Sequence, residues 1–250
     1  MNRWLVTIVL LIGSAILNHW IPFSSFFRNL DTMVHEFGHA LATLLVSGRV
    51  QSISLFANHS GVTYSLITAG WRVVPVSLAG YVTASLFSVY LFYTYSRGRL
   101  GQGLLVCSII AAICLLLFVR NSFGMAWIAG FMVVNAVMML LPIRWLQKGY
   151  YLLVAFVSLE ESVVGPIGLT VMALNNPAQA GDATGLQAAT GVPAAAWGLA
   201  FSIVALLCAR SAIGHFLGRR GRRGRSRRAG GSRPGYGGPG QPSVERFRID

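Results

Sequence analysis

Charge is what this chain has least of. Only 11% of its 250 residues are charged, against 54% hydrophobic, and just 7 are acidic. A soluble domain of this size carries about 25% charged residues, so the composition excludes an ordinary soluble enzyme and points to a polytopic membrane protein. Lysine is represented by Lys148 alone. The 3 cysteines, Cys107, Cys114 and Cys208, all lie in apolar runs. Cys107 and Cys114 fall two turns apart on one expected helix, too far for a disulfide, so free buried thiols are expected. The formal net charge of +13 is concentrated at one end, where residues 211–250 hold 10 Arg against Glu245 and Asp250.

Against this apolar background, His35-Glu36-Phe37-Gly38-His39 is the most informative segment. On a helix, residues four apart are about 40° apart around the axis, so His35 and His39 share a face. Two neutral imidazoles so placed can hold one Zn²⁺, and Glu36 can act on a water as general base. A third protein ligand and one open position would complete a hydrolytic site. The bland alternative is a pair of hydrogen-bonded histidines with Glu36 neutralised by a basic partner. A carboxylate inside a membrane helix costs roughly 2–4 kcal/mol on insertion scales, which favours a functional role.

The apolar runs predict about six or seven membrane spans. Trp4–Ile21 reads as an uncleaved first span, and the motif helix covers roughly 30–46, stopped by Gly48. Residues 49–65 change period to strict alternation, with Asn58-His59-Ser60-Gly61 in the middle, and predict a β-hairpin. Its edge could accept an extended peptide, with Ile53, Leu55, Val62 and Tyr64 as substrate-binding residues. Further spans are expected at about 73–95, 103–119 and 124–141. Small residues on the motif helix (Gly38, Ala40, Ala42) and in the next span (Ser77, Ala79, Gly80, Ala84, Ser85) predict close packing between them. Residues 149–173 carry Glu160-Glu161, and Gly165-Pro166 is expected to break the helix there. A polar loop over 174–194 and a last span over about 195–211 follow. The Gly- and Arg-rich tail, 214–250, is expected to be disordered. Next to a membrane span, its charge reads as a cytoplasmic anchor on anionic lipid; nucleic-acid binding is the weaker reading.

With His35-Glu36-x-Gly38-His39-Ala40 on a membrane helix, then Gly48-Arg49-Val50 and a hairpin, the chain resembles the site-2 protease family of intramembrane zinc metallopeptidases. It is most similar to the short bacterial B-type members that lack PDZ domains. Weaker likeness lies in Ala79-Gly80-Tyr81 and in Asp182-Ala183 ahead of the Trp197-containing span. The resemblance implies cleavage of a membrane-embedded protein or peptide in the bacterial plasma membrane. It also implies zinc on the motif histidines and water activation by the motif glutamate. Larger members take a third ligand from a Leu-Asp-Gly motif, which this sequence lacks.

With Glu245 and Asp250 in the tail and Asp31 on the motif helix, the choice falls among Glu160, Glu161 and Asp182. Glu161 is preferred and Glu160 is next, because a metal would relieve their burial in an apolar stretch. Asp182 reads more simply as a loop or helix-cap residue. His59 reads as a solvated turn residue rather than a further ligand. The expectation is therefore an all-α polytopic membrane protein with a small hairpin, its membrane domain spanning residues 1–213. Its expected site is catalytic Glu36 with Zn²⁺ on His35, His39 and Glu161. A catalytically inactive scaffold of the same fold is the first alternative, and a small transporter with a His/Glu relay the second.

Overall fold

The computed structural model describes residues 5, 7–9, 11–13, 24–68 and 70–229. The apolar run expected as the first span therefore lies largely outside the described residues, although those resolved between 5 and 13 are helical. Helix α1, Ser24–Leu45, carries the histidine motif and ends at the turn before the hairpin. Strands β1 (Arg49–Leu55) and β2 (Gly61–Leu66) follow, then α2 (Val73–Arg97) and α3 (Leu100–Ile113), which closes in a π-helical turn at Cys114–Phe118. Next come α4 (Ser122–Leu140), α5 (Arg144–Asn175), a 3₁₀ turn at Pro177–Gln179, α6 (Gly181–Thr190) and α7 (Ala194–Ala229).

Five of these helices are long and apolar enough to cross a membrane among the described residues: α2, α3 with its π turn, α4, α5 and α7 as far as Gly218. The chain is an integral membrane protein. Helix α1 is not one of the five. Its Arg28, Asn29, Asp31, His35, Glu36 and His39 dilute its hydropathy, while Leu30, Met33, Val34 and Ala40 are fully buried in the core. The motif helix thus packs inside the bundle with a polar face turned to a cleft.

Two expectations for the second half are corrected. Gly165-Pro166 does not break the helix, because α5 runs without interruption for 32 residues with Pro166 inside it. Proline is tolerated in membrane helices where neighbours and side chains take over the lost hydrogen bonds. Pro166 is buried against the bundle, and the Thr170 hydroxyl donates to its carbonyl at 2.8 Å. The polar segment 174–194 is likewise no open loop. It contains α6, which buries Ala180, Ala183 and Leu186 against Leu169, Ala173, Ala194 and Phe201. At the far end, α7 continues to Ala229, into the stretch expected to be disordered; residues 230–250 lie outside the described part.

The hairpin forms where alternation placed it. The strands pair antiparallel, with Leu55 opposite Gly61 and Ile53 opposite Thr63, and a bulge lies between Val50 and Ser52. Phe56–Ser60 closes the turn: the Phe56 N–H donates to the Ser60 carbonyl, and the Asn58 side chain accepts from the Ser60 N–H. The outer edge of β1 is covered by the segment after α3. Val119 bridges to Ile53, and the Asn121 amide both donates to the Leu55 carbonyl and accepts from its N–H. No strand among the described residues pairs with the outer edge of β2.

Candidate metal centre

His35 and His39 sit one helical turn apart on the face of α1 that meets α2 and α6. Their Nε2 atoms are 2.9 Å apart. Asp182, in the first turn of α6, brings its Oδ2 to 3.4 Å from His35 Nε2 and 3.3 Å from His39 Nε2. His39 Nδ1 donates to the Val76 carbonyl of α2 at 2.8 Å, which fixes the ring and leaves its Nε2 facing the other two atoms. Two ring nitrogens and a carboxylate oxygen thus converge, and only a positive charge can settle among them. A proton serves two of these atoms at a time; a divalent cation serves all three.

The spacing fits such an ion. A circle through three atoms with these separations has a radius of about 1.9 Å, so a point just off their plane lies about 2.0–2.1 Å from each, the zinc-to-donor distance. Packing keeps the place clear. A methyl group on Gly80 would lie 2.5 Å from both Nε2 atoms, so only glycine lets α2 approach the imidazoles here. Gly38 performs the same service from the other side, since a methyl there would lie 2.8 Å from the Ala79 carbonyl and from the Thr83 hydroxyl. The small-residue surfaces expected on α1 and α2 do face each other. Burial pushes the Asp182 carboxyl up, but hydrogen bonds and charge from His35 and His39 outweigh it and hold the group below its ordinary range.

Glu36 is 5% exposed and tied to the hairpin. The Thr63 hydroxyl of β2 donates to Glu36 Oε2 at 2.6 Å. A methyl on Gly61 would lie 2.7 Å from Glu36 Oε1, so the strand backbone presses directly on the carboxylate. Glu36 and His35 line a cavity of about 270 Å³ together with Asp31, Thr32, His59, Ser60, Tyr81 and Glu161.

The preferred third ligand, Glu161, is not the carboxylate that meets the two histidines. The described residues that could jointly hold a metal are His35, His39 and Asp182. Glu161 reaches the cavity rim, where Arg28 Nε donates to its Oε1 at 2.6 Å. Its burial is relieved by a guanidinium from α1, not by a metal. Glu160, on the same helix, is partly buried and stands outside the group of three. Asp182 lies in a polar stretch of sequence, but its helix α6 packs its apolar face against α2, α5 and α7. His59 is better fixed than a solvated turn residue: its carbonyl accepts from Thr32 at 2.8 Å, and its ring lies 3.3 Å from the Asn29 side-chain oxygen.

The four expected substrate-binding residues divide between opposite faces of the hairpin. Paired residues share a face, and Ile53 pairs with Thr63, so Ile53 and Leu55 turn inward and are fully buried. They are core, not contact surface. Val62 and Tyr64 turn outward and are 39% and 52% exposed.

A helical membrane bundle with two histidines and an aspartate converging beside a buried glutamate has the parts of a membrane metallopeptidase. A family model described as Peptidase M50B-like matches residues 4–212, and the chain belongs to that family. Neither a curated protein nor a solved structure matches it significantly.

Proposed function

We propose that this protein is an intramembrane zinc metalloprotease of a bacterial plasma membrane, cleaving membrane-embedded proteins or peptides. The convergence of His35, His39 and Asp182 next to Glu36 carries the reading. Two imidazoles and one carboxylate are the donor set of many hydrolytic zinc sites. When bound, zinc would supply Lewis acidity, making water a better nucleophile and a carbonyl a better electrophile.

The chain's own groups do the rest. Thr63 holds one Glu36 oxygen, so the carboxylate has a fixed aim as general base. Glu36 accepts the proton of the attacking water and returns it to the amine when the C–N bond breaks. The substrate must be extended at the scissile bond, because a helical peptide bond is shielded by its own hydrogen bonds. The open edge of β2 can take such a segment as an added strand, with Val62 and Tyr64 on its exposed face. The Arg-rich tail holds anionic lipid on the cytoplasmic side. The inactive-scaffold reading rests on the missing Leu-Asp-Gly motif; the approach of Asp182 to both imidazoles supports the enzymatic reading over it.

The test is metal analysis and cleavage together. Purified full-length protein should carry one zinc per chain and cut a single-span reporter peptide in micelles. Glu36→Gln should keep the zinc and lose cleavage. Wild-type protein without zinc, or equal cleavage by both proteins, would sink the proposal.

A further inference from the structure

We infer that Tyr81 is a further catalytic residue, donating its phenolic hydrogen to the oxyanion that forms on the scissile carbonyl. This rests on the proteolytic reading above and adds a role to it. Three hydroxyl groups line the cavity shared by His35 and Glu36: those of Thr32, Ser60 and Tyr81. Two are engaged, since Thr32 donates to the His59 carbonyl at 2.8 Å and Ser60 to the Asn58 side chain at 2.7 Å. The Tyr81 hydroxyl has no hydrogen-bond partner among the described residues.

Its ring is nonetheless held firmly. It meets His35 edge-on with centroids 4.5 Å apart and leans on Phe201 of α7 at 5.0 Å. A methyl on Gly165 of α5 would lie 3.4 Å from its Cε1, so α5 closes the third side. Tyr81 also directly follows Gly80, the residue that packs on both imidazoles. Tyr81 lines the cavity together with Asp31, His35 and Glu36. A rigid, uncommitted donor in the cavity that holds the general base is what stabilisation of developing negative charge requires.

The step balances simply. As the water oxygen bonds to the carbonyl carbon, the C=O π pair moves onto oxygen, and Glu36 takes the water's proton. Tyr81 donates a hydrogen bond to that oxygen and keeps its own proton. When the tetrahedral centre collapses, the C–N bond breaks and Glu36 delivers its proton to the amine.

Tyr81→Phe deletes the donor and keeps the ring. In zinc-loaded full-length protein, cleavage of the single-span reporter should fall about 100-fold in kcat, with KM within threefold and zinc content and melting temperature unchanged. A phosphinic peptide, which mimics the tetrahedral oxyanion, should bind more weakly to the variant, while the matching amide peptide binds both proteins alike. A kcat within threefold of wild type, unchanged phosphinic binding, or loss of zinc would overturn the role. If Glu36→Gln still abolishes cleavage in that case, the proteolytic reading survives without Tyr81. If wild-type protein fails to cleave, the proteolytic reading falls and the Tyr81 role falls with it.

Discussion

Two buried polar clusters in this bundle answer the same problem in opposite ways. In the first, the Asn135 amide on α4 donates to the Leu104 carbonyl at 3.0 Å and to Ser108 Oγ at 2.9 Å, while its oxygen accepts from the Tyr150 hydroxyl at 2.9 Å. Both amide hydrogens and the phenol hydrogen meet acceptors, and the cluster pins α3, α4 and α5 together. In the second, His35, His39 and Asp182 aim three electron-rich atoms at one point. The first cluster is satisfied within the protein; the second has the spacing to hold a cation. Depth of burial does not separate them, since Asn135 is fully buried and His39 nearly so. The donor-to-acceptor balance does, and that balance is what marks a site rather than a joint.

Variants can break this contrast in graded steps. Glu36→Gln leaves both clusters whole and removes only the base, so it should cut the cleavage rate by at least about 10³-fold with zinc content unchanged. Asp182→Ala should weaken zinc binding by more than about 100-fold, measured by competition with a chelating dye. Asp182→Asn is sharper still: it brings an N–H donor to the two imidazoles, so the protein should stay folded and lose its metal. Gly80→Ala should reduce zinc affinity at least about tenfold by pushing a methyl onto the imidazoles, without touching a donor atom. On the other cluster, Asn135→Asp sets acceptors against Leu104 and Ser108 and should cost about 1–3 kcal/mol in unfolding experiments, with zinc intact. The smallest effect belongs to Glu161→Ala. Its ion pair with Arg28, itself 42% exposed, is worth about 0.5–1 kcal/mol, and zinc binding should not change.

Much of the fold was legible because membrane helices and hairpins announce themselves by period. The apolar runs found the cores of α2, α3 and α4, and the alternation of 49–65 found the hairpin to within a residue or two. The motif located His35, Glu36 and His39 because helical geometry alone brings residues four apart together. The third donor was not local. Choosing between Glu161 and Asp182 by their sequence neighbours favoured the apolar surroundings of Glu161. The deciding facts were Arg28, 133 positions away, and the packing of α6 under α2 and α7. The faces of the hairpin failed for a related reason. Alternation gives two faces per strand, but only the register tells which face of β1 goes with which face of β2. The helix-breaking cost of Pro166 applies to an isolated helix, whereas here the bundle packs around the uninterrupted α5.

Two of the three converging donors ride on one long helix, but the third belongs to a ten-residue helix strung between two spans. An ion seated among them is therefore also a rivet between the connector 176–193 and the bundle. Its binding free energy is shared with the seating of that connector, so occupancy and local order rise and fall together. Amide exchange along α6 becomes a gauge of metal loading, and stripping the ion should quicken exchange there while the hairpin amides stay as slow as before.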